Sequence, residues 1–499
     1  MSRPTMILRG DFGGQPLVTA AGALALACLV SLASGWAIAN EQALRLGLAA
    51  IVIALLFGLG MLTSRHLLYV LVLWLAALGL LRRLATYELA AFRDTDPLLV
   101  VGPIALGVLL MNAVRAGAFR GRTPLATAVA AMSGLILLGA VNPLQDSLVA
   151  GIAGLLFTLV PALAFWVGRG LVDDEALMKL LKLLAVVAVA SALYGFVQIF
   201  VGFPHWDAKW IRDSGYTALQ VFSSGLGGTY RPFASFSSAS EYGLYLALGI
   251  VVWAGFATRR WSLLAVGPIG VLAVALLYQS SRGIVVGLVA GLALMLSARR
   301  ALPLAGGLLG AVLVVALLPF AARQLPWHTT SAASGSELVS HQLEGLANPL
   351  DPAVSTLPGH VELLRSGLSS VLQDPIGLGL APVTLAGRKF GRGEGESGTE
   401  ADPSNIAVAL GIPGLLAYLV VVALAFRRAY HVAVRRRDAL SLAALGILMV
   451  TLFQWLNGAH YAVAIVPWLV LGWLDRPSTS DRERARERMP GRASPQLRG

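Results

Sequence analysis

The sequence is poor in charged residues and almost lacks cysteine. Only 13% of its 499 residues are charged, whereas a soluble domain carries about a quarter. The single cysteine, Cys28, lies inside the first apolar run, which excludes an intrachain disulfide and a cysteine-based metal site. That first run is also too long, and too poor in small residues at its end, for a cleavable signal peptide. A soluble, disulfide-stabilised or zinc-binding protein is therefore not expected.

Long apolar runs take up most of the chain instead, and 57% of its residues are hydrophobic. A membrane-spanning helix needs about 20 mainly apolar residues. The runs that meet or approach this requirement are 17–38, 46–63, 67–81, 98–113, 125–142, 147–168, 180–202, 241–258, 262–278, 284–298, 303–322, 406–426, 440–456 and 461–474. The sequence predicts an all-α polytopic membrane protein with about 12–14 transmembrane helices.

Lysine and arginine predict the orientation of these helices. The basic loops are 115–122, 169–182, 259–260, 299–300 and 427–437, and they fall on alternate connections. One cytoplasmic side requires this alternation, so we expect both termini in the cytoplasm. The exception is Arg82-Arg83, on a connection that the count assigns to the outside. The net charge of +12 is then a topology signal, and nucleic acid is not an expected partner.

The same count divides the chain into four parts. Membrane helices are predicted over 1–322, with an outer loop at 203–240. An extracytoplasmic loop over 323–405 carries an amphipathic helix near 359–373. Membrane helices resume over 406–474, and 475–499 is expected to be a disordered cytoplasmic tail. Because the long polar segments lie outside, and most apolar runs contain no charge, the pattern favours chemistry at the outer surface over transport at mid-membrane.

Two arginines are predicted to lie at that outer face, beside the bilayer. Arg231 precedes the apolar run 241–258, and Arg282 precedes the run 284–298. A guanidinium group binds phosphate through two parallel hydrogen bonds and keeps its charge. A lipid diphosphate would lie at this depth. The alternative is that each arginine only extends to the interface or pairs with a nearby carboxylate.

Four short motifs, in order along the chain, carry a resemblance to a known family. They read YRPFASFSSASEYG at 230–243, QSSRG at 279–283, GHVE at 359–362 followed by DPIGLG at 374–379, and GIPGLL at 411–416. We refer to them as the first, second, third and fourth motifs. Together they resemble the signatures of the O-antigen ligase and polysaccharide polymerase superfamily. The first half of the chain resembles this family only in being helical.

The resemblance implies transfer of a glycan from a polyprenyl-diphosphate carrier to an acceptor glycan, in exopolysaccharide or O-antigen biosynthesis. It implies a glycosyltransferase-C-like fold in the bacterial cytoplasmic membrane, no cofactor and no metal, and a chain-length regulator as a possible partner. Arg231 and Arg282 match the arginines of the family and would bind the diphosphate. Tyr230 and Ser281 flank them in the motifs and would contact the same substrate.

The residue that activates the acceptor hydroxyl is less clearly marked. The ligases commonly carry a His-Asn or His-Ser pair about eleven residues before the glycine that corresponds to Gly411, and this chain has Glu400 there. Glu400 and His360 are therefore the candidate catalytic groups beside the arginines. Further candidates for substrate binding are Lys209, Trp210, Arg365 and Asp402, together with Glu396 as another acid.

The missing histidine favours a polymerase over a lipid A–core ligase, and 206–211 resembles exopolysaccharide polymerases. A lipid-linked glycan flippase is a second hypothesis, and a cell-wall glycan polymerase is a third. His205, His328 and His341 lie in outer loops without ligand spacing, so no metal site is predicted among them.

Overall fold

The structure is a computed structural model that describes residues 43–88, 96–214, 220–221, 229–258, 263–324, 335–391 and 401–476. The predicted first span at 17–38, the candidate acids Glu396 and Glu400, and all but the first two residues of the predicted tail lie outside these ranges.

Apolar helices dominate the described part of the chain. They are α1 (Ala43–Leu62), α2 (Ser64–Glu88), α3 (Leu98–Arg115), α4 (Pro124–Ala140), α5 (Leu148–Leu171), α6 (Asp174–Phe196), α8 (Ala239–Ala257), α9 (Leu263–Gln279), α10 (Arg282–Arg299), α11 (Leu304–Arg323), α15 (Asp402–Arg436), α16 (Ala439–Val450) and α17 (Tyr461–Leu474). Within the described ranges, eight helices are long and apolar enough to cross a membrane. The predicted helical, polytopic membrane architecture is confirmed.

Smaller elements connect these helices. A π-helical turn at Val197–Val201 continues α6, and the short helix α7 (His205–Ser214) follows it. Two two-residue strands, β1 (Gln220–Val221) and β2 (Thr229–Tyr230), pair antiparallel, which the all-α prediction omitted. The long loop after α11 contains the helices α12 (Ser336–Ala347), α13 (Leu357–Ser369) and α14 (Leu385–Phe390), with 3₁₀ turns at Ser370–Leu372 and Ala381–Val383.

The bundle has a buried centre and an apolar periphery. Nearly all side chains of α8, α16 and α17 are buried. At the periphery, α11 exposes large apolar side chains along its length, including Leu309, Val312, Leu317 and Phe320. Exposed apolar side chains on a spanning helix contact lipid, where no hydrophobic penalty applies. The helices therefore enclose a protein core and present their outer surfaces to the hydrocarbon.

Side-chain contacts define one end of the bundle, which we call the basic face. Arg169 forms a salt bridge with Asp475 at 2.9 Å, and Thr123 donates a hydrogen bond to the same carboxylate at 2.7 Å. Arg436 pairs with Asp174 at 2.8 Å. These contacts bring the basic loops at 115–122, 169–182 and 427–437 to one side, as their alternation along the sequence predicts. We call the other end the opposite face.

The structure corrects the assignment of Arg82-Arg83 to an outer loop. Helix α2 continues to Glu88, so both arginines are helical, and their side chains are buried. Arg82 lies 3.4 Å from the Asp96 carboxylate, and Arg83 forms a salt bridge with Asp207 at 2.6 Å. Because these charges are neutralised inside the protein, they do not act as a topology signal. Arg82 and Arg83 are therefore no exception to the alternation of the basic loops.

Helices α15 and α16 differ from the predicted spans near the opposite face. Helix α15 begins at Asp402 and is broken at Gly411, whose φ of 61° and ψ of −151° are not helical. Helix α16 ends at Val450 rather than 456, and the connection 451–460 separates it from α17. The hydropathy of the sequence does not locate such breaks, because the residues on both sides of them are apolar.

Candidate functional site

The backbone of the first motif is held by a buried polar network. Beside its salt bridge with Asp207, Arg83 donates a hydrogen bond to the carbonyl oxygen of Phe236 at 2.6 Å and another to that of Ala234. Arg83 is 1% exposed and Asp207 is fully buried. A buried ion pair whose remaining hydrogen bonds are satisfied fixes its partners rigidly, so α2 and α7 together position this motif.

A second buried side chain completes this support. Gln198 accepts hydrogen bonds from the backbone nitrogens of Phe233 at 3.0 Å and of Ala234 at 2.8 Å, and donates to Asp207 at 2.7 Å. Ala234 has a φ of +46°, an uncommon value for a residue with a Cβ atom. The chain just after Arg231 is therefore held in a strained conformation by Gln198 of the π-helical turn and Arg83 of α2.

The first motif ends in a capped helix. Ser238 accepts a hydrogen bond from the backbone nitrogen of Glu241 at 3.1 Å, as an N-cap does. Glu241 accepts from the backbone nitrogens of Ser237 at 3.0 Å and of Ala462 at 2.7 Å. One buried carboxylate thus ties the start of α8 to the start of α17, at the opposite face.

The first and second motifs pack directly together. A Cβ atom on Gly243 would lie 2.7 Å from the Gln279 side chain, so only glycine leaves room there. Gln279 donates a hydrogen bond to the carbonyl oxygen of Ala239 at 2.6 Å. Arg231 Nη1 lies 3.4 Å from Ser281 Oγ. Residues 50 positions apart in the chain therefore form one surface around the two arginines.

His341, on α12, joins this surface. Arg282 Nη2 lies 3.1 Å from His341 Nε2 and 2.7 Å from the His341 carbonyl oxygen, and His341 Nδ1 lies 2.9 Å from Ser280 Oγ. Arginine can only donate, so Nε2 is the acceptor and the proton is on Nδ1. A Cβ atom on Gly345 would collide with the Arg282 guanidinium group, so α12 lies directly against it.

Burial, and to a lesser extent the positive charges of Arg282 and Arg231, together lower the pKa of His341 to about 4. The imidazole is therefore neutral at pH 7. Arg231 and Arg282 both lie close enough to His341 to disfavour its protonated form. The site therefore combines two fixed positive charges with one neutral hydrogen-bond acceptor. Glu344, one turn further along α12, contributes a favourable charge interaction with Arg282.

The third and fourth motifs form a second pair. The backbone nitrogen of Ile412 donates to the Pro375 carbonyl oxygen at 2.9 Å, and the nitrogens of Leu378 and Gly379 donate to α15 carbonyl oxygens at 2.8 and 2.9 Å. Gly377 has a φ of +77° and Gly411 a φ of +61°. A Cβ atom at either position would collide with the facing backbone. The glycines of these motifs therefore allow the outer loop to dock into the break in α15.

Of the ten site residues predicted from the sequence, three meet at one place, namely Arg231, Ser281 and Arg282. Tyr230 is adjacent, half-buried, with its ring 6.2 Å from that of Phe203. Glu400 lies outside the described residues. His360 and Arg365 are exposed on α13, which packs against α15, whereas α12 is the loop helix that reaches the arginines.

The other three predicted residues contact the protein scaffold. Lys209 forms a salt bridge with Asp213 at 2.6 Å, and Trp210 is 8% exposed with Arg82 stacked 5.2 Å above its ring. Asp402 is 2% exposed and accepts a hydrogen bond from the backbone nitrogen of Leu456 at 3.1 Å. The burial of Trp210 and Asp402 gives both residues a role in packing and in joining segments.

The sequence did not identify His341 as part of the site. It was one of several outer-loop histidines, and no spacing linked it to Arg282, 59 positions earlier. The available signal was the following Gly345, because α12 can approach the guanidinium group only where a side chain is missing. In the described part of the chain, no group of three or more His, Cys, Asp and Glu residues could hold a metal ion.

The fold and this site define a polytopic helical membrane protein with a doubly cationic cluster at one end of the bundle. The chain matches no protein-family model, and it has no significant match among curated proteins.

Proposed function

We propose that this protein is a membrane glycosyltransferase that polymerises polyprenyl-diphosphate-linked glycan repeat units at the outer face of the bacterial cytoplasmic membrane. In this proposal the basic face and both termini are cytoplasmic. The observation that carries it is the meeting of Arg231, Ser281, Arg282 and a neutral His341 at the opposite face. Two fixed positive charges beside a neutral base suit a reaction in which an anionic leaving group departs from a sugar.

The arginines would bind the donor diphosphate. In the free protein Arg282 donates to neutral acceptors on His341. A diphosphate offers anionic oxygens in the geometry of a two-pronged hydrogen bond, so the attraction between opposite charges is added to the hydrogen bonds. Donor binding would therefore draw Arg282 from the imidazole to the phosphate, while Ser281 remains beside Arg231.

The same exchange would free the base for the acceptor. Once Arg282 turns to the diphosphate, Nε2 of His341 is a neutral acceptor within the site. The acceptor sugar hydroxyl would attack the anomeric carbon, the bond from that carbon to the phosphate oxygen would break, and the hydroxyl proton would pass to Nε2. The polyprenyl diphosphate leaves as an anion between the two arginines. Glu400 is the alternative base.

Two other functions are distinguishable by their products. A ligase would transfer the finished glycan to lipid A–core, whereas a polymerase lengthens the glycan on its lipid carrier. A lipid-linked glycan flippase would change the leaflet of the donor without changing its structure. The sequence before Gly411 lacks the His-Asn or His-Ser pair that ligases commonly carry, and this favours the polymerase. A chain-length regulator would be a partner in that case.

A complementation experiment tests the proposal. A strain that lacks the gene would receive the double variant Arg231→Lys, Arg282→Lys, which keeps both charges and removes the two-pronged geometry. We expect little or no polymer. The control is Arg435→Lys, on an exposed arginine of the basic face, which should restore normal polymer. Full polymer from the double variant, at equal protein level, would contradict the proposal.

A further inference from the structure

The outer loop exposes large apolar side chains over a short stretch. Leu357 is 41% exposed, Val361 53%, Leu372 82% and Ile376 66%. A single exposed apolar side chain is normal on a soluble surface, but a group of this size within one short segment indicates a contact with another apolar phase. The question is which phase covers this stretch.

Helix α13 is amphipathic along the same stretch. Its apolar residues at 357, 361, 364 and 368 recur at the spacing that places them on one side of a helix. Away from this side lie the exposed polar residues Glu362, Arg365, Ser366 and Ser369, together with one exposed apolar residue, Leu363. A helix with one apolar and one polar side, both accessible, is suited to the plane of a membrane interface.

The depth of this stretch in the bilayer can be measured along α4. Thr123, before its first residue, contacts Asp475 at the basic face. Asn142, just after its last turn, donates a hydrogen bond to the Gly377 carbonyl oxygen at 2.8 Å. At a rise of 1.5 Å per residue, Asn142 lies about 28 Å above Thr123. The hydrocarbon core is about 30 Å thick, so Gly377 lies close to its far boundary.

Helix α15 gives a second, independent measure. Ile412 is hydrogen-bonded to Pro375 at 2.9 Å, and the first basic residue toward the basic face is Arg427. The helical rise places Ile412 about 22 Å above the level of Arg427. The two heights, about 28 Å and about 22 Å, both fall within a hydrocarbon core about 30 Å thick, so the stretch 375–377 lies at or just inside its far boundary and not in the water above it.

The exposed apolar surface is continuous with a lipid-facing helix. Ile376 is next in sequence to Pro375, which contacts Ile412, and Ile412 is 43% exposed. Leu416 follows one turn along α15 and is 58% exposed. Because α15 is a spanning helix, the apolar phase around Leu416 is lipid, and the exposed side chains of Ile412 and Ile376 extend this apolar surface toward the loop.

We propose that the 357–376 segment is an interfacial anchor that lies in the lipid leaflet on the side opposite the basic face. Leu357, Val361 and Leu372 enter the boundary between head groups and acyl chains, and Arg365 extends to the head groups. The anchor holds the third motif at the membrane surface, where it docks into the break in α15. This inference does not depend on the proposed chemistry.

The single cysteine of the chain makes the test direct. In a Cys28→Ser background, cysteines would replace Val361 and Leu372 singly and carry a nitroxide label. The full-length protein would be reconstituted in vesicles of phosphatidylethanolamine and phosphatidylglycerol. Collision of the label with dissolved oxygen and with a water-soluble nickel chelate would then be measured. Ser366→Cys, on the polar side of α13, is the control for water, and Leu416→Cys is the control for hydrocarbon.

We expect labels at positions 361 and 372 to collide more with oxygen and less with the nickel chelate, as the label at 416 does. The label at 366 should behave in the opposite way. Labels at 361 and 372 that are as accessible to nickel as the label at 366 would overturn the proposal. Positions 361 and 372 are labelled in separate variants. If one variant fails to fold, the accessibility of the label in the other still tests the proposal.

Discussion

Arg282 contacts His341 twice, through Nε2 of the ring at 3.1 Å and through the backbone carbonyl oxygen at 2.7 Å. The two contacts fix the position of the guanidinium group and the tautomer of the imidazole together. Since Ser280 holds the other ring nitrogen, the imidazole cannot turn without breaking a hydrogen bond. The tautomer and the orientation of the imidazole are therefore set before any substrate arrives.

Replacing Arg282 with lysine should weaken donor binding. Lysine keeps the charge but cannot donate two parallel hydrogen bonds. The loss of one charge-assisted hydrogen bond, about 1.5–3 kcal/mol, corresponds to roughly a 10- to 100-fold higher Kd. Binding of a polyprenyl diphosphate to the purified protein measures this effect. Arg435→Lys is the matched control and should leave the Kd unchanged. An equal Kd for Arg282→Lys and the wild type would show that the Arg282 guanidinium does not bind the polyprenyl diphosphate.

The pH dependence of transfer should report on His341. If neutral Nε2 receives the proton, kcat/KM should be nearly constant from pH 7 to pH 5. It should fall about tenfold per unit below a pKa of about 4. His341→Gln should lower the rate and abolish this acid limb. A limb near pH 6.5 in the wild type, or one that remains in His341→Gln, would assign the proton to another group.

The same pKa has a consequence for stability. The folded protein releases the His341 proton at about pH 4, whereas an exposed histidine keeps it up to its ordinary pKa of 6.5. Between these values the unfolded chain binds more protons, so the folded state should lose stability as the pH falls from about 6.5 to 4. His341→Gln should show a smaller loss in thermal unfolding measurements over this range, and an equal loss would contradict the assignment.

Two aspartates on α7 allow a comparison between a buried and an exposed ion pair. Asp207→Ala leaves Arg83 as an uncompensated buried charge, which should cost about 3–5 kcal/mol. Asp213→Ala breaks a pair with Lys209 whose side chains are 31% and 27% exposed, and should cost about 1 kcal/mol or less. Thermal unfolding in detergent measures both, and equal melting temperatures would show that the network does not support the first motif.

The break in α15 should require glycine. Gly411→Ala places a Cβ atom against the Pro375 carbonyl oxygen, at backbone angles that only glycine adopts freely. We expect a loss of about 1–3 kcal/mol. Gly267→Ala, in α9 with open space around it, should instead stabilise by about 0.5–1 kcal/mol. Proteolysis of the outer loop distinguishes the two, since only Gly411→Ala should speed its cleavage.

The helices were predictable because a span of about 20 apolar residues stands out in any sequence. Every predicted span from 46–63 onward overlaps a helix of the structure, although several boundaries differ. The inside of the bundle was less predictable. Arg82 and Arg83 resembled loop charges, because nothing in the sequence indicates that the helix continues past them or that Asp96 and Asp207 neutralise them.

The sequence predicted the two arginines of the site, but it did not predict the histidine beside them. Arg231 and Arg282 stand out because an arginine beside a span, on the side away from the basic loops, runs against the positive-inside pattern. Arg282 begins α10, and Arg231 lies in the segment before α8. Trp210 and Asp402 seemed available from the sequence, yet burial commits both to packing. His341 depends on a close approach between α12 and α10, and no periodicity of the sequence encodes that approach.

The central claim is that the paired arginines serve glycosyl transfer from a lipid diphosphate. The most direct test uses the purified protein in vesicles with a lipid-linked repeat unit as the only glycan, without nucleotide sugars. We predict glycan chains of several repeats and one free polyprenyl diphosphate for each linkage formed, with neither product from the Arg231→Lys, Arg282→Lys variant. Movement of the intact repeat unit between leaflets without any new linkage would contradict the account.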